Sequence, residues 1–241
     1  MEVLVPFAAE RPKTRLEPVL SAEERAAFAR VMLADVLETV TETGHDPVVL
    51  STAPLEDRAV ESERLSREPE VDPRGTIEGI DPQIVIDDRS LSAAVGGRLP
   101  GPGDDPVAVV MADLALVTPV SLETLFEPLV GDGPRGESVP DVVIAPGRGG
   151  GTNALVVDHP QFSVDYHGAS YRDHVRIARE AGATVESVDS YRLGTDVDEP
   201  ADLVEVVLHG EGQAAAFLDA LGFDLETGSG RVTVARDSGP I

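Results

Sequence analysis

The sequence predicts an α/β fold with helices packed on a mostly parallel sheet. Three observations lead there. Short apolar runs alternate with segments of helical periodicity, the pattern of strand–helix–strand units. One run, 106–114 (PVAVVMADL), is almost uninterrupted, as a central strand buried on both faces requires. The residues able to do chemistry fall at the ends of such runs, where open α/β sheets place ligands. No Pro/Ser/Gly linker splits the 241 residues into halves that could each hold a core, so a single domain, 1–241, is expected.

The elements follow in order. Residues 2–8 (EVLVPFA) read as a buried first strand, with Pro6 near its end. The loop after it carries Arg11, Lys13 and Arg15, three cations that suit an anion site in so acidic a chain. Ser21 with Glu24 forms a capping box that starts a helix. Phe28, Val31, Met32, Asp35-Val36 and Val40 recur at helical spacing, and Gly44 stops it. Residues 47–52 are a second strand, and 53–75 a polar, Glu/Arg-rich excursion with some helix. Residues 83–87 (QIVID) form a strand ending in Asp87-Asp88, and a small-residue helix follows over 90–99. The central strand ends at Asp113, placing a carboxylate at a ligand-binding edge, although capping of the next turn would explain it too. Thr118-Pro119 read as N-cap and N1 of a short helix through Phe126.

The stretch 141–153 (DVVIAPGRGGGTN) reads as strand, glycine loop, strand, with the strands at 142–144 and 154–157. Gly147, Gly149, Gly150 and Gly151 around Arg148 suit a loop that wraps a phosphate with backbone N–H groups and one fixed charge. A plain hairpin turn fits the same residues. A dinucleotide fingerprint fits less well, because Thr152 stands where its third glycine belongs and a strand follows. The Gly-Lys-Ser/Thr of a P-loop is absent. Downstream, Ser170 is placed to cap a helix that stops at Gly182, with His167 and His174 flanking its start and Arg172 and Arg176 along it. His174 is expected to be a structural hydrogen-bonder rather than a base. After a strand at 185–188, Asp196 and Asp198 alternate around Val197, so both carboxylates face one way. Such a pair calls for a cation, and an all-oxygen donor set favours Mg²⁺ or Mn²⁺; a solvated acidic loop is the other reading. Pro200 opens a helix to His209; a last helix (213–221) and a strand-like segment (231–235) close the chain.

Composition narrows the function. The chain has 44 acidic against 19 basic residues, net −25, a field that repels nucleic acid and anionic lipid. Lys13 is the single lysine, the other basic residues being arginine. This balance suits a very salty cytoplasm, where self-repulsion is screened. No run is long enough to span a membrane, and no secretory signal stands at the start. The absence of cysteine excludes disulfides and thiolate chemistry and fits a cytoplasmic enzyme. Cations, a phosphate-wrapping loop and acidic metal ligands are together the parts list of phosphoryl or nucleotidyl transfer.

In order, VPF…KTRL, MADL, APGRGGGTNAL, SYRDH and DVDEPADL resemble the CofC family, the 2-phospho-L-lactate guanylyltransferases of coenzyme F-420 biosynthesis. The resemblance runs from Val5 to about Leu203. It implies a three-layer, Rossmann-like fold of the nucleotide-diphospho-sugar transferase type with a mixed, mostly parallel sheet. It also implies GTP and a small phospho-acid as substrates, Mg²⁺ as cofactor, and a homodimer. Carried over, Lys13 and Arg15 hold GTP phosphates, with Arg11 and Gly149, Gly150 and Gly151 beside them. Lys13 and Asp113 are the catalytic pair, and Asp113, Asp196 and Asp198 bind metal. Thr152, His167, Gly168 and Ser170 lie at the acceptor. The family commonly has Phe-Gly three and four residues before the serine, where this chain has Tyr166 and His167, and MADL is followed here by Ala115 rather than proline. Other nucleotidyltransferases of the same fold, a GTP-binding protein without turnover and an acidic interaction domain remain open at this point.

Overall fold

The computed structural model describes residues 1–55, 80, 82–130, 139–228 and 230–236. From residue 56 on, the excursion expected over 53–75 lies outside the described residues. Seven strands form one sheet: β1 (Glu2–Phe7), β2 (Pro47–Ser51), β3 (Gln83–Ile86), β4 (Val107–Val110), β5 (Val142–Pro146), β6 (Thr152–Val157) and β7 (Val185–Ser187). Their spatial order is β3-β2-β1-β4-β6-β5-β7. Only β6 runs antiparallel to its neighbours, so the sheet is mixed and mostly parallel, as expected.

Central strands are buried on both faces, with side chains alternating between two cores. Val3 and Val5 of β1 pack toward α1 (Ala22–Glu42) and α3 (Pro119–Val130), and Leu4 packs to the other side. That other core also takes α2 (Leu91–Gly96) and α4 (Ser170–Glu180). Helix α1 begins and ends where its capping box and Gly44 put it. It is also buried on its outer side. Phe28 and Met32 meet α6 (Leu203–His209), α7 (Gln213–Ala220) and Phe223 in a third core, with Phe28 and Phe217 stacked at 5.9 Å between ring centroids. The strand-like C-terminal segment is β9 (Thr233–Arg236). It pairs with β8 (Phe223–Glu226) as a separate antiparallel ribbon. Among the described residues, no helix is long and apolar enough to cross a membrane.

Asp35 shows why a carboxylate interrupts the apolar face of α1. It accepts from Gln213 N–H (2.7 Å) and Ala214 N–H (2.9 Å), capping α7 across the third core. Burial pushes its carboxyl from 3.8 up to about 6 against the pull of those amides. The folded state therefore holds a proton that the unfolded chain releases between pH about 4 and about 6. Stability from this group is present at the acid side of that window and lost as pH rises through it, by roughly 2–3 kcal/mol at most. Thermal unfolding in molar KCl at pH 5 and pH 7 should show a stability difference that shrinks in Asp35→Asn. An identical pH response in both proteins would rule this account out.

The sheet differs from expectation in two places that matter for the site. The strand in the apolar run 106–114 ends at Val110; Met111 N–H still bonds the Asn153 carbonyl (2.9 Å), and the chain then turns at Ala112 and Asp113. Asp113 thus lies three residues past the strand. Conversely β6 begins at Thr152, so Thr152 and Asn153 are buried strand residues rather than loop.

Candidate active site

The carboxyl ends of β3, β2, β1 and β4 open onto a cavity of about 380 Å³. The strand order reverses between β1 and β4, and a parallel sheet leaves its ligand crevice at that point. The size is that of a small-molecule site.

The loop after β1 supplies its cation. Arg11 (φ 45°) and Lys13 (φ 55°) both adopt left-handed backbone on either side of Pro12. Such angles cost a non-glycine residue on the order of 1 kcal/mol each and persist only where the surroundings impose them. Leu16, fully buried in the third core, anchors the loop through a single 3-10 turn at Thr14–Leu16. The result delivers Lys13 Nζ between Asp113 Oδ2 (2.7 Å) and Asp198 Oδ1 (2.9 Å), with 10% of its side chain exposed. Burial alone would lower the ammonium's pKa, but Asp113 and Asp198 outweigh it and hold it above the ordinary lysine value. Lys13 is therefore a fixed cation, not a base. Arg15 lies further out, 3.6 Å from Asp198, and Arg11 lines the cavity.

The carboxylates come from two segments tied together by backbone. Val197 N–H donates to the Asp113 carbonyl (3.2 Å), and the Val197 side chain is buried in the third core. Asp196 and Asp198 alternate around it, and Asp198 acts electrostatically on Asp196. Asp196 is held by Asn153 Nδ2 (3.1 Å). Its carboxyl is raised by burial and, further, by Asp113 and Asp198, with the Asn153 bond opposing. Asp113 Oδ1 is buried without a hydrogen-bond partner. Asp113, Asp196 and Asp198 are the residues expected to bind one or two metal ions. Among the described residues, no three such side chains stand together closely enough to hold an ion. The Lys13 ammonium instead supplies positive charge between Asp113 and Asp198.

The glycine stretch closes as a hairpin. Gly147 N–H bonds the Gly151 carbonyl and Gly150 N–H the Gly147 carbonyl, both at 2.9 Å. Gly150 takes the left-handed position (φ 87°) that a three-residue hairpin loop of this kind requires. Arg148 N–H donates to the Gly194 carbonyl in the short helix α5 (Tyr191–Gly194). Three of the five amides are thus already bonded; those of Gly149 and Gly151 have no partner among the described residues. A phosphate wrapped by the whole loop is ruled out by these internal bonds.

The expected acceptor residues are mostly internal. Thr152 and Ser170 are buried, and Ser170 Oγ accepts from Thr152 N–H (2.9 Å). Ser170 is the first residue of α4 rather than its cap, because its oxygen serves β6 instead. The helix start is likewise closed, with Tyr171 N–H directed at the Gly150 carbonyl (3.3 Å). His174 is structural, as expected. Its Nε2 accepts from Asp165 N–H, which leaves the proton on Nδ1 to donate to Thr152 Oγ1 (2.8 Å). Burial pushes its pKa down to about 4, so it is neutral at pH 7. His167 is exposed beside Asp165, and Gly168 takes left-handed backbone (φ 55°). None of Thr152, His167, Gly168 and Ser170 lines the cavity.

The sequence reading missed Asn153, which bridges Asp196 and the Leu193 carbonyl and whose amide leaves no room for a Cβ at Gly147. Its place beside the glycines was the available signal. The reading also gave no role to Arg89, which lines the cavity with Lys13.

Comparison with known proteins agrees with this geometry. A family model described as "Guanylyl transferase CofC like" matches residues 1–237. Proteins named 2-phospho-L-lactate guanylyltransferase are 56% identical in Natrialba magadii, over 98% of this chain and 99% of that protein, and 49% identical in Haloferax volcanii over 98% and 99%. Among solved structures, a provisionally assigned nucleotide-diphospho-sugar transferase from Desulfovibrio desulfuricans superposes with TM-score 0.65 at 17% identity, over 90% of this chain and 93% of that one. A CMP:2-keto-3-deoxy-manno-octonic acid synthetase complexed with CTP gives TM-score 0.51 at 12% identity, over 85% and 95%. These two establish the nucleotide-diphospho-sugar transferase fold. By sequence, the chain belongs to the CofC-like guanylyl transferase family.

Proposed function

We propose that this protein transfers GMP from GTP to 2-phospho-L-lactate, giving lactyl-2-diphospho-5'-guanosine and pyrophosphate, as the names of its relatives indicate. The single observation that carries the reading is Lys13, clamped between Asp113 and Asp198 in a nucleotide-sized cavity at the switch point of the sheet.

The chemistry follows from charge. A phosphate oxygen of the acceptor attacks the α-phosphorus; the new P–O bond forms as the bond to the bridging oxygen of the β-phosphate breaks, and pyrophosphate leaves with that electron pair. The acceptor's second pKa is about 6, so it is already mostly dianionic at pH 7 and needs no general base. Repulsion between polyanions is the obstacle. Lys13 presents a permanent ammonium to the phosphate chain, and Arg11 and Arg15 extend the positive rim. The amides of Gly149 and Gly151 are free to meet an anionic acceptor, with Thr152 and Ser170 holding that hairpin in place.

The residues fit a divalent cation. Asp113 Oδ1 is buried and unpaired, and the Asp196 carboxyl is raised by burial and like charge that a cation would offset. Magnesium is commonly held by one or two carboxylates together with substrate phosphates and water, so Asp113 and Asp196 would be its protein ligands. Bound there, Mg²⁺ would neutralise charge on the phosphates of the reacting nucleotide.

The test is pyrophosphate release in molar KCl with Mg²⁺ and GTP, the salt being chosen to screen the net charge of −25. Release with 2-phospho-L-lactate should exceed that with phosphoenolpyruvate or 3-phosphoglycerate. Silence with all three from folded protein would remove the proposal.

A further inference from the structure

The cavity has polar residues from well-separated strands. Lys13 and Asp113 follow β1 and β4, and Asp87 and Arg89 follow β3, two strands from β1. Leu50, Leu91 and Ala94 stand among the lining residues as apolar surface. A nucleotide has the same polarity: a phosphate chain, a flat apolar base, and a polar base edge.

Arg89 is held unusually firmly for a side chain that is 56% exposed. Its Nε lies 2.9 Å from Asp87 Oδ1 and its Nη2 2.6 Å from Asp87 Oδ2, a two-pronged clamp. Asp87 is itself fixed by Arg89 N–H (3.1 Å) and is only 14% exposed. The Arg89 bonds hold the Asp87 carboxyl below the usual range, so the clamp stays ionised. Beneath the guanidinium lies Gly97, where a Cβ would come within 3.2 Å of Nη2. Nη1 has no partner among the described residues. A planar fork clamped along one edge and seated on a glycine keeps its outer edge for a ligand.

Resting on the reading of a GTP-using enzyme, we propose that Arg89, positioned by Asp87 and Gly97, selects guanine by donating to O6 and N7 of the base. Guanine presents two acceptors on that edge, and an arginine fork matches both. Adenine keeps N7 but puts an amino group where O6 was, so one donor of Arg89 would face another donor. Removal of the purine N7 weakens the contact and leaves O6; inosine keeps both acceptors.

Calorimetric binding of GTP, 7-deaza-GTP, ITP and ATP tests this without requiring turnover. The unmodified protein should bind GTP at least about tenfold more tightly than ATP or 7-deaza-GTP. Arg89→Ala should bring GTP, 7-deaza-GTP and ATP within about twofold of one another, with ATP affinity unchanged. Asp87→Asn, which loosens the clamp, and Gly97→Ala, which displaces the fork while keeping both chemistries, should narrow the GTP/ATP ratio part-way. If Arg89→Ala weakens all four nucleotides equally, or leaves the GTP/ATP ratio intact, Arg89 is not the base reader. Pyrophosphate release measured in parallel separates the two readings. The predicted binding pattern without turnover would remove the guanylyltransferase reaction alone, and turnover with a flat pattern would remove the Arg89 assignment alone.

Discussion

Lys13→Met is expected to lower turnover by about 10²–10³-fold or more, the usual effect of deleting one preorganised charge at a centre where negative charge develops. Methionine keeps the apolar stem inside the loop and removes only the ammonium. Two carboxylates then face each other without their cation. Where such a pair is fully buried, losing one partner costs about 3–5 kcal/mol. Here water reaches Asp198, whose side chain is 41% exposed, so a smaller loss of roughly 1–2 kcal/mol is expected. Lys13→Arg should recover that stability without recovering the rate, because a planar fork cannot sit as a point charge between Asp113 Oδ2 and Asp198 Oδ1. Pyrophosphate release and thermal unfolding in molar KCl read the two effects separately. A Lys13→Met enzyme within tenfold of the parent would show that the clamped ammonium is structural only.

That prediction depends on contacts no local pattern could display. Lys13 was conspicuous as the single lysine, Asp113 as a carboxylate closing an apolar run, and Asp198 as one of two carboxylates alternating around Val197. Their separations of 100 and 185 residues hide the pairing: the parallel sheet brings the carboxyl ends of β1 and β4 side by side, and the Val197 N–H bond to the Asp113 carbonyl brings Asp198 to them. Elements governed by local chemistry were legible. The Ser21/Glu24 box and Gly44 bound α1 to within a residue, and the alternation around Val197 marks a buried side chain between two carboxylates. Errors arose where tertiary partners override local signals. Met111–Leu114 continue an apolar run, yet Met111, Ala112 and Asp113 leave the strand to line the cavity, and only Leu114 is fully buried. Ser170 looks like a cap, yet its oxygen is taken by Thr152 N–H eighteen residues earlier. The four glycines look like a phosphate cradle, yet two hairpin bonds and one from Arg148 N–H to the Gly194 carbonyl use most of its donors. Asp35 looks like an interruption of a helix face, and becomes intelligible only when α7 is docked on it.

Asp113→Asn is expected to abolish measurable turnover while leaving a cooperatively folding protein. The substitution is nearly isosteric. It keeps the shape of the side chain and takes away the charge that Lys13 Nζ meets at 2.7 Å. If the amide group turns its NH₂ toward Lys13, two donors meet; if it turns the other way, an NH₂ occupies the place of the unpaired oxygen proposed as a metal ligand. Either orientation removes a function that a carboxylate performs with both oxygens at once. Loss of one Mg²⁺ ligand should also shift the Mg²⁺ dependence of GTP binding to higher concentration by about tenfold or more, the scale seen even for groups that merely support metal ligands. The fold should tolerate the change, because Val197 N–H bonds the backbone carbonyl of Asp113, not its side chain. Calorimetry of GTP at several Mg²⁺ concentrations, beside thermal unfolding, distinguishes the outcomes. Unchanged Mg²⁺ dependence with turnover lost would leave Asp113 as the partner of Lys13 alone. Parent-like turnover with unfolding preserved would sink both roles.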